Sequence, residues 1–175
     1  MAADLFVVPT VTFRLLFVLV ILGHDRRRIV LVAVTDHPTA AWAAQQLRNA
    51  FPESEAPRYL LHDRDTVFAD VATTLAAMHI QDVRTAPRLP WQNAYVERVI
   101  GSIRRECLEH VIVASAAGLQ RVLTEYLAYY MQSRTHLALE KDAPISRPVR
   151  PSSDGRVVVT PLVGGLHHRY DRAAA

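Results

Sequence analysis

Three apolar runs precede any helical pattern in this chain, and that order limits the folds open to it. Residues 5–8 are short and apolar and stop at Pro9; residues 11–22 are rich in branched and aromatic side chains; residues 28–34 (RIVLVAV) form the third run. The polar Gly23-His24-Asp25 separates the two long runs. Long apolar runs joined by a short polar turn predict an antiparallel hairpin in the middle of a sheet. A membrane reading of residues 15–22 (LLFVLVIL) is weaker. The run has only eight uninterrupted apolar residues, whereas a spanning helix takes about 20. No small-residue cleavage site follows it, only Gly23, His24, Asp25 and three arginines, so a signal peptide is not indicated. No membrane partner is expected; a protein anchored through residues 11–22 would have to be recovered with membranes.

Helices then alternate with strands. Thr39 is placed to cap a helix over residues 40–51, with Trp42, Leu47 and Phe51 at helical spacing. Residues 52–57 read as a loop, 58–61 as a fourth strand, 67–78 as a helix with Val71, Leu75 and Met78 on one face, and 81–84 as a fifth strand. The loop 85–91 (TAPRLPW) precedes a helix from Gln92-Asn93 to about His110, and another runs from about Ser115 to Gln132. Beyond Ser133, prolines and glycines mark an extended tail. The 175 residues suit one domain, here a core over 1–140 followed by a tail over 141–175. The expected architecture is α/β: a mixed five-stranded sheet, three-strand meander first, flanked by helices.

Three carboxylates stand at the ends of these elements. Asp4 begins the first strand, Asp63 follows the short run Tyr59-Leu60-Leu61-His62, and Glu97 lies one turn into the helix after Trp91. Each has an ordinary reading. Asp4 fits a polar residue at a frayed terminus, Asp63 and Asp65 fit a turn after a strand, and Glu97 fits a first-turn carboxylate favoured by the helix dipole. Together they fit a divalent-metal site, because magnesium takes carboxylates, water and substrate phosphate as ligands, and two such ions can serve phosphodiester chemistry.

The stretches 60–68 (LLHDRDTVF) and 90–110 (PWQNAYVERVIGSIRRECLEH) make the resemblance specific. They resemble the catalytic core of DDE-type insertion-sequence transposases related to retroviral integrases, and the element order is that of the ribonuclease H-like fold. The P-W-Q-N-x-x-V-E-R pattern carries most of the signal. With 33 residues between Asp63 and Glu97 and 31 between Asp65 and Glu97, the family's spacing selects Asp63. Relatives often have Asn-Gly after this Asp, where this chain has Arg64-Asp65, and many have Gly where it has Ala94. The resemblance covers roughly residues 4–150. It implies that Asp4, Asp63 and Glu97 bind metal and catalyse DNA cleavage and strand transfer, with Mg2+ (or Mn2+) as cofactor, as two ions.

DNA is then the expected partner. Arg104 lies seven residues after Glu97 and so on nearly the same helix face, while Arg98 and Arg105 share an adjacent face. These arginines are candidates for phosphate contact, against the alternative of a solvated face with an Arg105–Glu109 pair. Gln92 and Asn93 are candidates for DNA contact or for capping, with capping favoured for Asn93. The net charge of +3 permits a polyanionic partner without requiring one. Cys107 is the lone cysteine and reads as a reduced thiol of a cytoplasmic protein. Family members usually carry a helix-turn-helix region before the first catalytic Asp, whereas Asp4 stands three residues from the start. The expectation is therefore an N-terminally truncated transposase. It is either an active enzyme, as a homo-oligomer or in association with a longer transposase, or a non-catalytic remnant that binds DNA or the full-length protein.

Overall fold

The computed structural model describes residues 1–52, 56–87 and 89–173. Parts of the expected loops at 52–57 and 85–91, and the last two residues of the tail, lie outside the described residues. Five strands form one sheet in the order β3-β2-β1-β4-β5. β1 (Ala2–Pro9), β2 (Leu15–Leu22) and β3 (Ile29–Thr35) are the antiparallel meander. β4 (Tyr59–His62) runs parallel to β1, and β5 (Gln81–Arg84) parallel to β4. This is the mixed sheet expected from the sequence.

The unbroken apolar run of β2 has a physical reason: helices cover both faces of the sheet. Val18, Val20 and Leu22 point into one core and Leu19 and Ile21 into the other. α1 (Ala40–Ala50) and α2 (Val71–Ala77) close the second core through Leu47, Val71 and Leu75. α3 (Ala94–Glu106) and α4 (Ala116–Gln132) close the first through Val96, Val99, Ile103, Leu119, Leu123 and Tyr126. The caps are local. The Thr39 side chain accepts from the Trp42 amide at 3.1 Å, and the Ser115 Oγ accepts from the Gly118 amide at 3.1 Å.

Several boundaries depart from expectation. β2 begins at Leu15 rather than residue 11, because Thr10 Oγ1 binds both the amide and the carbonyl of Arg14 and closes a turn over the intervening residues. Phe13 sits in that turn at φ 60 and is 92% exposed. β1 is not frayed: the Met1 ammonium donates to the Tyr59 carbonyl at 2.9 Å, and the Leu61 amide donates to the Met1 carbonyl at 2.9 Å. α2 starts later than expected because Asp65 caps a separate 3-10 turn, Thr66–Phe68, accepting from the Val67 amide. α3 ends at Glu106, where Cys107 leaves helical geometry, and a 3-10 turn continues over Leu108–His110.

The tail differs most. Instead of a uniformly extended segment it holds a hairpin, β6 (Val157–Leu162) paired antiparallel with β7 (His167–Arg172). Gly164 and Gly165 take positive φ between the strands, 63° and 91°, which a residue without Cβ does at no steric cost. The hairpin rests on α4. The His167 ring stacks on Tyr129 at 4.1 Å and 4°, and its Nε2 donates to the Glu106 carbonyl at 2.7 Å. Beneath it Arg134 forms two hydrogen bonds to the Glu106 carboxylate, 2.7 and 2.5 Å, and the Tyr126 hydroxyl adds a third at 2.9 Å. Burial works against that carboxylate, but these donors outweigh it and hold the Glu106 pKa below its usual value. Among the described residues, no helix is long and apolar enough to cross a membrane.

Candidate active site

The sheet sets two of the three carboxylates on or beside neighbouring strands. β1 and β4 pair in parallel with Ala2 opposite Leu61. Asp4 lies two residues further along β1, and Asp63 directly follows the last residue of β4. Side chains alternate along a strand, so Asp4 shares the face of Ala2 and Phe6, on the α3–α4 side of the sheet. The charges of Asp63 and Glu97 both act on Asp4.

Helix α3 is fixed there by Asn93. Its side-chain amide donates to the Ala3 carbonyl at 3.1 Å, and the residue is 4% exposed. Asn93 occupies the N-cap position yet makes no side-chain cap bond, so the expected capping role is corrected: it joins α3 to β1. Burial also turns it away from direct DNA contact. Its Oδ1 is buried without a partner among the described residues. Glu97, four residues on, lies one turn up the same helix face and is exposed.

The loop after β4 is held from several sides. Asp63 Oδ1 accepts from the Asp65 amide at 3.1 Å, an Asx turn. Arg64 Nε donates to the Thr85 carbonyl at 3.0 Å. His62, 1% exposed, donates through Nδ1 to the Asp63 carbonyl at 2.6 Å, and its Nε2 lies 2.8 Å from Asp82 Oδ1. Its ring packs on Phe68 at 4.7 Å. Asp65 Oδ1 caps the following 3-10 turn by accepting from the Val67 amide.

The electrostatics follow from this crowding. Burial first, and then the charges of Asp63, Glu97 and Asp65, push the Asp4 carboxyl up to about 7, against the opposing hydrogen bond from the Leu5 amide. Among the described residues, no Lys or Arg figures among the groups acting on Asp4. Gathered carboxylates suit a hard divalent cation. Among the described residues, no group of three His, Cys, Asp or Glu stands within reach of one metal ion.

The arginines expected to act together are dispersed. Arg104 lies along β1, with Nη2 donating to the Val7 carbonyl at 3.3 Å and its guanidinium 5.1 Å from the Phe6 ring. Three residues of strand put that contact about 10 Å from Asp4. Arg98 faces a different cleft, shared with Arg27, Tyr95 and Arg134. Arg105 folds back over Gly101, where a Cβ would come within 3.0 Å of its Nη1; an Arg105–Glu109 ion pair is absent among the described residues. Gln92 Oε1 accepts from the Ala86 amide at 2.7 Å and ties the loop to the helix start. Cys107 is buried, and burial pushes its thiol up to about 11, as befits an inert core residue.

Sequence reasoning missed His62 and two exposed aromatics, Trp91 (66%) and Tyr95 (52%), that flank the start of α3. The signal for His62 was a polar residue at a buried strand position directly before an acid. Its partner, Asp82, is 20 residues away and becomes visible only in the fold.

With this geometry in place, the comparisons with known proteins are informative. Residues 78–144 match the integrase core domain family. Among solved structures, the fold is similar to a chain of the simian T-cell lymphotropic virus intasome in complex with PP2A regulatory subunit B56 gamma (TM-score 0.64, 12% identity, 99% of this chain and 66% of that one). It is similar to the HTLV-2 integrase catalytic core domain in complex with magnesium, in its trimeric form (0.61, 12%, 82% and 92%), and to the BIV integrase catalytic core domain (0.56, 15%, 82% and 90%). The chain thus spans just under two thirds of the intasome chain and most of the isolated cores. No curated protein matches it by sequence. The fold is that of integrase catalytic cores, ribonuclease H-like. The match over residues 78–144 lies within this fold, on the segment that carries α3 and α4.

Proposed function

We propose that this chain cuts DNA and joins the cut end to a second DNA, with Asp4, Asp63 and Glu97 as its metal ligands and catalytic groups. The observation that supports the reading is the crowding of acids at Asp4, a half-buried residue of the central strand on which the charges of Asp63 and Glu97 both act. The acidic donor set, crowded enough to lift Asp4 to about 7, fits Mg2+ or Mn2+, as two ions. When bound, such ions activate the attacking oxygen and stabilise the leaving one.

The protein's own part is positioning. Asp4, half-buried on the central strand, is the fixed ligand. Asp63 is aimed by its Asx turn and by His62 behind it. Glu97, exposed on the first turn of α3, would complete the ligand set. Arg104, about 10 Å along β1, holds a phosphate beside the cut; Arg98, Arg105 and Gln92 are secondary contacts along the same duplex. The chain acts in the cytoplasm on DNA, as a homo-oligomer or with a longer transposase. The open arrangement of the three acids favours one other reading, a non-catalytic core that binds DNA or a full-length partner.

Cleavage of a labelled duplex with Mg2+ or Mn2+ separates the two, comparing wild type with Glu97→Gln. Metal-dependent cleavage that disappears in the variant is the expected result. A folded wild type that does not cleave supports the non-catalytic reading, and equal cleavage by both removes Glu97 from the site.

A further inference from the structure

The net charge is unevenly spread. Residues 1–140 carry 14 Lys/Arg and 14 Asp/Glu, whereas residues 141–175 carry six Lys/Arg against three Asp. The whole excess of +3 therefore lies in the final 35 residues. The fold then concentrates it. A groove of about 430 Å³ between the 141–150 segment and β7 is lined by Arg147, Arg150, Arg169 and Arg172, with Tyr170 among them.

Two carboxylates also line the groove, and both are engaged. Asp142 is held by Arg26 at 2.6 Å. Asp171 accepts from Arg169 Nε at 2.6 Å and lies 3.4 Å from Arg147 Nη1. One carboxylate among four guanidinium groups leaves a clear cationic excess, and Asp171 fixes the direction of two of them. Arg172 is aimed by its hydrogen bond to the Gly155 carbonyl at 2.9 Å. Arg150 is exposed, and Tyr170, 58% exposed, offers an aromatic edge on the same surface.

We propose that this groove is a second nucleic-acid site, one that grips the phosphate backbone of duplex DNA outside the carboxylate centre. A neutral core bearing an acidic centre exerts no long-range pull on a polyanion, whereas clustered arginines gain affinity by releasing condensed counterions. An open groove of guanidinium groups on a hairpin reads charge and shape rather than base sequence. The choice of DNA as the polyanion rests on the catalytic-core reading above; the cationic site itself does not.

The test is fluorescence anisotropy of the full chain on a short labelled duplex of arbitrary sequence, in EDTA, over a series of NaCl concentrations. The variants are Arg147→Ala/Arg150→Ala and, as a charge-retaining partner, Arg147→Lys/Arg150→Lys. The alanine pair is expected to weaken binding by about tenfold and to flatten the plot of log affinity against log salt by about 2, since each lost phosphate contact removes about 0.9. The lysine pair is expected to keep the wild-type slope, and circular dichroism melting to be the same for all three. Unchanged binding by the alanine pair overturns the proposal, as does preference for single-stranded RNA over the duplex. Metal-dependent cleavage by the wild type is read separately, so failure of the groove (unchanged binding by the alanine pair in EDTA) and failure of the cleavage reading (no cleavage with Mg2+ or Mn2+) give different results.

Discussion

The carboxylate centre and the C-terminal hairpin are built on opposite principles. The centre is acidic, and its geometry comes from a sheet whose register is locked between two apolar cores. The hairpin is basic, and every residue of β6 but Leu162 is exposed. It is attached by polar and stacking contacts, chiefly His167 on Tyr129 and on the Glu106 carbonyl. A two-stranded hairpin is marginal alone, so its position depends on those few side chains. On the reading proposed above, the contrast teaches how precision is distributed: a site that aligns reacting atoms is built on and beside a packed sheet, while a site that gathers charge tolerates a looser mount.

The sharpest way to break this contrast is to loosen the centre without touching its acids. His62→Ala removes the contacts behind Asp63 and leaves Asp82 without its imidazole partner. Metal-dependent cleavage is expected to fall about 10–100-fold, the usual effect of losing a partner that orients a ligand. DNA binding in EDTA should stay the same. If cleavage is unaffected, Asp63 needs no such support.

A smaller effect is expected at the mount of the hairpin. Glu106→Ala strands the half-buried Arg134 and removes the acceptor of Tyr126. The expected loss is about 1–3 kcal/mol by urea unfolding. Equal stability would show that the Glu106 carboxylate adds nothing net to the cluster under the hairpin, whose His167 bonds the main-chain carbonyl that the variant keeps.

The most specific expected effect is in pH. Folding raises the Asp4 carboxyl from 3.8 to about 7. The folded state therefore holds this proton more tightly than the unfolded one. The stabilisation is fully present below about pH 4 and is lost as pH rises through about 7. Metal-free wild type should lose stability over that window relative to Asp4→Asn, which carries no such proton. Mg2+ should restore stability at the upper end, where the acids are ionised. Parallel stability curves for the two proteins would remove Asp4 from the crowded centre.

Most of the fold was legible because its signals are local. Residues 81–84 form the fifth strand as expected, Thr39 caps α1, and the apolar pattern of β2 gives a strand covered on both faces. The failures have local causes too. Val11 and Phe13 are apolar but lie in a turn set by the Thr10 side chain. The hairpin in the tail had its own signal, a Val157-Val158-Val159 run and a Gly-Gly turn, outweighed by Pro161, which sits in β6 opposite His168. Strand and helix ends make the three acids stand out in the sequence. His62 and Asn93 do not, because their roles are fixed by Asp82 and the Ala3 carbonyl, which the fold alone brings near.

The most direct test of the central claim is an anomalous difference map from crystals of the full chain soaked in Mn2+. The expected result is density bounded by Asp4, Asp63 and Glu97, with the Glu97 side chain turned toward the other two. Manganese bound elsewhere, or an empty centre in crystals that take up the ion, would contradict the assignment of these three carboxylates as the metal ligands.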